Sequence, residues 1–187
     1  MRVQLPDLSC VALIQAEELK DLDEMRELIA QHHPLLRASP LGLLSLLLQQ
    51  RSRSWEKWLE AIWRRTLDIE SFTGTVPIHW SVNNDPRRLE ELANPETRHT
   101  QLLSTHADSC YAQGFLAFGV RLADFCTDAI AIVDADGTTL SPAARAKIED
   151  RNRLSKSLSL SLTERVTDLL SRQQIQISCV SLCVAAC

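Results

Sequence analysis

The residues of this 187-residue chain best equipped for chemistry fall into four groups. In the string AIAIVDADGTTL, Asp134 and Asp136 stand two residues apart, just ahead of Gly137 and Thr138. Two carboxylates beside a magnesium ion can split phosphoryl transfer into two easier steps. His99, His106 and Cys110 follow at steps of seven and four along one helix face, and His and Cys four apart can ligate zinc. No fourth ligand accompanies them, and seven residues is two helical turns, the ordinary spacing of a core. No metal site is therefore assigned, and the three stand only as candidates. Cys179, Cys183 and Cys187 step by four, a thiol stripe if the tail is helical. Val184 occupies the position where a prenylation box needs Cys, so that modification is not expected. Palmitoyl-mediated peripheral membrane attachment through these thiols is set below the reading of small residues facing a core. Arg51, Arg53, Lys57, Arg64 and Arg65 interleave with Trp55, Trp58 and Trp63, a pattern seen on nucleic-acid surfaces. On a helix the same pattern is a buried tryptophan stripe with a wet basic side. At a net charge of −4 that structural reading is preferred, and no nucleic-acid partner is expected.

The apolar run followed by Asp-Ala-Asp-Gly-Thr resembles the first motif of haloacid dehalogenase-like phosphatases. That resemblance implies a nucleophilic Asp134, an acid–base Asp136 and a Thr138 near the phosphate. The surroundings depart from the family, which places the motif near the start of a doubly wound domain with a later Lys and a further acidic pair. Only 47 residues follow Leu140 here, in a helical pattern and too few for a parallel sheet. The expected role of Asp136-Gly137 is to stop a helix. A calcium loop also fails, for want of a third acid and a distal Glu.

Composition sets what must position these groups. The chain has 45% hydrophobic and 24% charged residues, which is incompatible with wholesale disorder. It holds 5 Gly, where average usage would give roughly 13, and only 9 aromatic residues against 30 Leu. Such a chain is a poor source of β barrels or of Gly-rich phosphate loops. The N-terminus turns acidic at Glu17, Glu18, Asp21, Asp23 and Glu24, without a signal-peptide core. No apolar run reaches the 18 or so residues of a membrane span. The six cysteines then read as reduced thiols of a soluble cytoplasmic protein.

Periodicity supplies the elements. Ile14, Leu22, Met25, Leu28 and Ile29 predict an amphipathic helix from about Val11 to Gln31, ending by His33 because of Pro34. Ser39-Pro40 opens a long helix through about Phe72, stopped by Gly74. An irregular connection at about 73–95 follows. A second long helix runs from Glu96 to about Val133, with His99, Leu103, His106, Cys110, Ala117, Leu122, Phe125 and Ile130 recurring on it. Gly114 and Gly119 weaken it unless a neighbouring helix approaches there. Ser141-Pro142 starts a last helix; SKSLSLSL alternates like a strand, but its flanks are helical and helix is expected.

The segment HHPLLRASPLGLLSLLLQQRSRSWEKWLEAIWRRTLDIESFTG resembles a segment of fungal CorA-like magnesium transporter proteins. The resemblance continues in TRHTQLLSTHADSCYAQGFLAFGVRLADFCTDAI and LTERVTDLLSRQQIQISCVSL, and spans roughly Leu28 to Leu182. It implies the long-helix cytoplasmic part of such a protein. The two membrane helices and the Gly-Met-Asn signature are missing, so transport is not expected and no catalytic residue carries over.

The expectation is an all-α fold, an elongated antiparallel bundle of long helices forming one domain over 1–187 with a loose tail at 178–187. Its expected work is non-catalytic association with itself or with a helical partner, with no cofactor. Two alternatives stand beside it. One is a magnesium-dependent phosphatase-like hydrolase using Asp134 and Asp136; the other is an accessory protein or enzyme of a fungal, secondary-metabolite pathway.

Overall fold

The computed structural model describes residues 19–39, 41–73, 94–135 and 141–185, and every regular element among them is helical. The helices are α1 (Leu19–Gln31), α2 (His33–Ala38), α3 (Leu41–Thr73), α4 (Pro95–Ala135) and α5 (Pro142–Ala185). The all-α expectation holds, and SKSLSLSL is helical within α5. Most of the connection at 73–95 and the stretch 11–18 lie outside the described residues. α1 ends at Gln31, before His33 as expected, and Pro34 then opens the short helix α2, where its missing N–H costs nothing. α5 runs on through Ala185, so the stretch from 178 is helical as far as that residue, and Ala186 and Cys187 lie outside the described residues.

Local chemistry explains the boundaries. The Asn94 side-chain oxygen accepts the N–H groups of Glu96 (2.9 Å) and Thr97 (3.5 Å), capping α4. Ser141 does the same for Ala144 at 3.3 Å, with Pro142 preset in the first turn of α5. Ser39, extended at φ −158° and ψ 127°, accepts the Leu41 N–H at 3.2 Å where α3 begins.

Each long helix turns a heptad-spaced seam inward. On α4 the buried positions are Leu102, Thr105, Ser109, Ala112, Leu116, Gly119, Ala123, Cys126 and Ile130, steps of three and four without a break. On α5 they are Ile148, Asn152, Ser155, Ser159, Leu162, Val166, Leu169, Gln173 and Gln176. On α3, Ser45, Leu48, Ser52, Leu59, Ile62, Thr66 and Ile69 follow the same spacing, with half-buried Trp55 completing it. A 3.5-residue period is the coiled-coil period.

The sequence suggests one domain; the contacts divide the chain into two compact units, residues 1–50 with 122–154, and residues 51–121 with 155–187. In the second unit, Arg65 bonds Asp108 at 2.7 Å and the Arg98 guanidinium lies over the Phe72 ring at 4.6 Å. Numbers rising on α3 thus meet numbers falling on α4, and the two are antiparallel. Gln173 donates to Thr66 at 2.8 Å and Thr73 to Gln176 at 2.9 Å, so α3 and α5 run the same way. The centre is Leu59, Ile62, Ala112, Leu116, Leu162, Val166 and Leu169. Each large aliphatic side chain buried there contributes about 1.5–3 kcal/mol. The tryptophans are not the buried stripe expected: Trp55, Trp58 and Trp63 are half-buried and flank this centre, while Leu59 and Ile62 fill it. An indole is too large to sit wholly inside three closely spaced helices.

Gly119 shows how tight one layer is. A Cβ built there would lie 2.5 Å from the Trp55 ring and 3.0 Å from Ser159 Oγ. Glycine on α4 and serine on α5 make room for one indole from α3. In the first unit Leu35, Ile130, Ala144 and Ile148 form a second small core against half-buried Leu41. There Ser45 donates to Asn152 at 2.6 Å, a buried polar pair. Gln50 of α3 also donates to Glu24 of α1 at 2.7 Å in this unit.

Candidate functional site

Among the described residues, the groups singled out for chemistry lie apart from one another. Asp134 falls in the last turn of α4 and Asp136 lies outside the described residues. The apolar run that precedes Asp134 is helical, where the phosphatase resemblance needs a sheet. His99 and His106 are half-buried on α4 and Cys110 is exposed. Among the described residues no three His, Cys, Asp or Glu groups come together in a way that could hold a metal ion. Cys179 is an exposed thiol on α5, Cys183 is on the same helix, and Cys187 lies outside the described residues.

The charged groups that do converge serve packing. Arg172 of α5 grips Glu70 of α3 with two guanidinium nitrogens, one at 2.8 Å from Oε1, and also reaches Asp168 at 3.5 Å. The hydrogen bond to Glu70 holds the Arg172 charge more firmly still than in water. Glu70 is only 4% exposed, and a carboxylate so placed needs this partner. Burial raises the Cys126 thiol above its ordinary value in the α4 seam. His32 is pushed below its ordinary value by burial, then by the positive Arg151 and Lys147. Arg151 lies 3.3 Å from the ring and 3.3 Å from Gln49.

Two open surface grooves occur in the second unit. One, of about 310 Å³, is lined by Trp63, Glu164, Arg165, Asp168 and Leu169. The other, of about 380 Å³, is lined by Arg53, Glu56, Lys57, Glu60 and Arg165. Both mix opposite charges along helix surfaces, and neither holds a nucleophile beside a base.

What stands out is the second face of α4. Tyr111, Phe115, Phe118, Phe125 and Ile132 are 67%, 49%, 50%, 58% and 64% exposed. With half-buried Leu122 and Ala129 they read 111, 115, 118, 122, 125, 129, 132, again in unbroken steps of four and three. One helix therefore carries two heptad seams, one facing its own neighbours and one facing outward. Within this outer seam, Phe115 meets Trp58 edge-on at 6.2 Å between centroids. Surface apolar residues scattered singly need no explanation, whereas these five large apolar side chains fall in one row. In chemical terms the row can dock another apolar helix.

Sequence reasoning missed this face. It found the periodicity of α4, but grouped Leu103, Cys110 and Phe125, all exposed, with Ile130, which is buried. The available signal was the interleaving of two heptads on one helix, with all four bulky aromatics in the same one.

Comparison with protein-family models, with curated proteins and with solved structures finds no match to this chain.

Proposed function

We propose that this chain is a non-catalytic helical protein that works by docking another helix onto the outer seam of α4. The observation that carries this reading is the exposed heptad row of Tyr111, Phe115, Phe118, Phe125 and Ile132. A row of that spacing is complementary to an amphipathic helix, whose own apolar residues recur at the same interval. The resemblance to the cytoplasmic helices of CorA-like proteins is compatible with the same reading. Among the described residues no helix is long and apolar enough to cross a membrane.

Site-specific photo-crosslinking tests it in the cell that makes the protein. A benzophenone side chain in place of Phe118 yields a covalent adduct, and the same group in place of exposed Arg53 yields none. No adduct from position 118, or equal labelling from both positions, contradicts the proposal.

A further inference from the structure

Resting on that reading, we infer that the helix docked on α4 is α4 of a second copy, running antiparallel and centred between Ala123 and Asp124. The pairing needs only α4 itself, whose heptad positions are fixed by its continuous helix from Pro95 to Ala135.

Two antiparallel coiled-coil helices pair their seam positions in layers. Laid on itself in this register, Phe115 meets Ile132 of the second copy, Phe118 meets Ala129, and Leu122 meets Phe125. Each layer occurs twice by symmetry, giving six consecutive apolar layers with no polar residue among them. Size is matched as well as polarity. The exposed Phe118 ring falls on the small Ala129, and the exposed Phe125 ring on half-buried Leu122. A two-fold interface of this kind presents the same patch on both sides and must be self-complementary.

Charge selects the register. Arg121 and Asp128 each precede a seam position, Leu122 and Ala129, and so lie along the same edge of the seam. In an antiparallel pair, like edges face each other, and this register brings Arg121 of each copy to Asp128 of the other. Both residues are exposed, and no ion pair among the described residues engages either of them. Sliding one helix by a heptad in one direction sets Arg121 against Arg121; the other direction sets Asp128 against Asp128. Both slips are penalised by like charge, which is how coiled coils reject wrong registers. The opposite edge of the seam, Ala112, Gly119 and Cys126, is buried within the chain's own fold. A parallel pair would match Arg121 and Asp128 to that buried edge, where no charges answer them.

Sedimentation equilibrium of the purified full chain across the micromolar range tests the pairing. The wild type fits a monomer–dimer equilibrium of the 21.0 kDa chain. Phe118→Glu weakens dimerisation by about 100-fold or more, because it places a charge in a central apolar layer. Arg121→Asp weakens it by about tenfold, since rim charges count for less than core layers. The double exchange Arg121→Asp with Asp128→Arg restores dimerisation to within about threefold of wild type, because the two pairs are rebuilt with reversed sign. All these positions are exposed, so circular dichroism should show unchanged helix content. A wild type that stays monomeric, or a double exchange no better than Arg121→Asp alone, overturns the self-pairing. If adducts at position 118 then contain a different protein, the docking reading survives while the second copy is excluded. If position 118 gives no adduct at all, both fall.

Discussion

The two faces of α4 invert the usual distribution of side chains. The inner seam is small and polar in most places: Thr105, Ser109, Ala112, Gly119, Ala123 and Cys126 all lie within its buried row. The outer seam holds Tyr111, Phe115, Phe118, Phe125 and Ile132, all exposed. A single helix thus keeps its bulk for the outside and offers its neighbours mainly space. The reason lies in the neighbours, since α3 and α5 bring Trp55, Leu59, Ile62, Leu162, Val166 and Leu169 to the same interior. Three helices each bearing large residues at every layer would be forced apart, and interiors tolerate overpacking poorly. What remains large on α4 is outside because the inside is full, and it is arranged with the regularity of a core that lacks its other half.

Adjacent positions give the sharpest contrast. Leu116→Ala, at a side chain 1% exposed in the inner seam, costs about 2–5 kcal/mol of unfolding free energy. Phe118→Ala, two residues away on the outer seam, costs the isolated chain about 0.5 kcal/mol or less in the same urea titration. Comparable losses at low protein concentration would mean that the outer row belongs to the fold itself. A smaller effect is expected at the tightest inner layer. Gly119→Ala destabilises by about 1–3 kcal/mol, because its new methyl group collides with the Trp55 ring. Adding Trp55→Leu to that variant returns part of the loss, and full additivity of the two changes would show that they do not share a layer.

The polar residues of the inner seams can be separated from the apolar ones in the same way. Thr66→Val strands the buried Gln173 amide that donates to it at 2.8 Å, at a cost of about 1–2 kcal/mol. Joining Thr66→Val with Gln173→Leu recovers most of this, because both members of the pair become apolar. The weakest expected effect is one of pH. His32 binds its proton less readily folded than unfolded, owing to burial and then Arg151 and Lys147. The unfolded chain therefore takes up the proton first. Stability is complete above the ordinary value of 6.5 and declines as pH falls through the lowered folded value. Thermal melts of His32→Gln should show a flatter decline over that interval; an unchanged slope would assign the decline to other groups.

The helices themselves were largely legible in the residues. Ser141-Pro142 marked the start of α5, the Asp136-Gly137 turn signal fell just beyond the end of α4, and the leucine spacing of α3 gave its length to within a residue or two. Which face of each helix would turn inward was not legible. Ser155 and Ser159 are buried while Leu154 and Leu160 are 61% and 47% exposed, a choice no scale of single-residue hydrophobicity would make. That choice is settled between helices, where the Trp55 indole needs a small residue opposite and Ser159 supplies one. The outer seam was hidden for a related reason. An apolar helix with two interleaved heptads shows apolar residues on most sides, and periodicity alone does not say which row is already covered.

A spin label on exposed Gln113 reports the direction of the paired helices, because that side chain lies on α4 but outside both seams. The proposed antiparallel pair sets position 113 of the two copies about 30 Å apart along the helix axes, from a rise of 1.5 Å per residue. Pulsed dipolar spectroscopy should return one intermolecular distance of about 40 Å, the axial offset combined with the width of the pair, abolished by Phe118→Glu. A distance of about 25 Å, as in-register parallel helices would give with position 113 on their outer sides, or no dipolar modulation at dimerising concentrations, would contradict it.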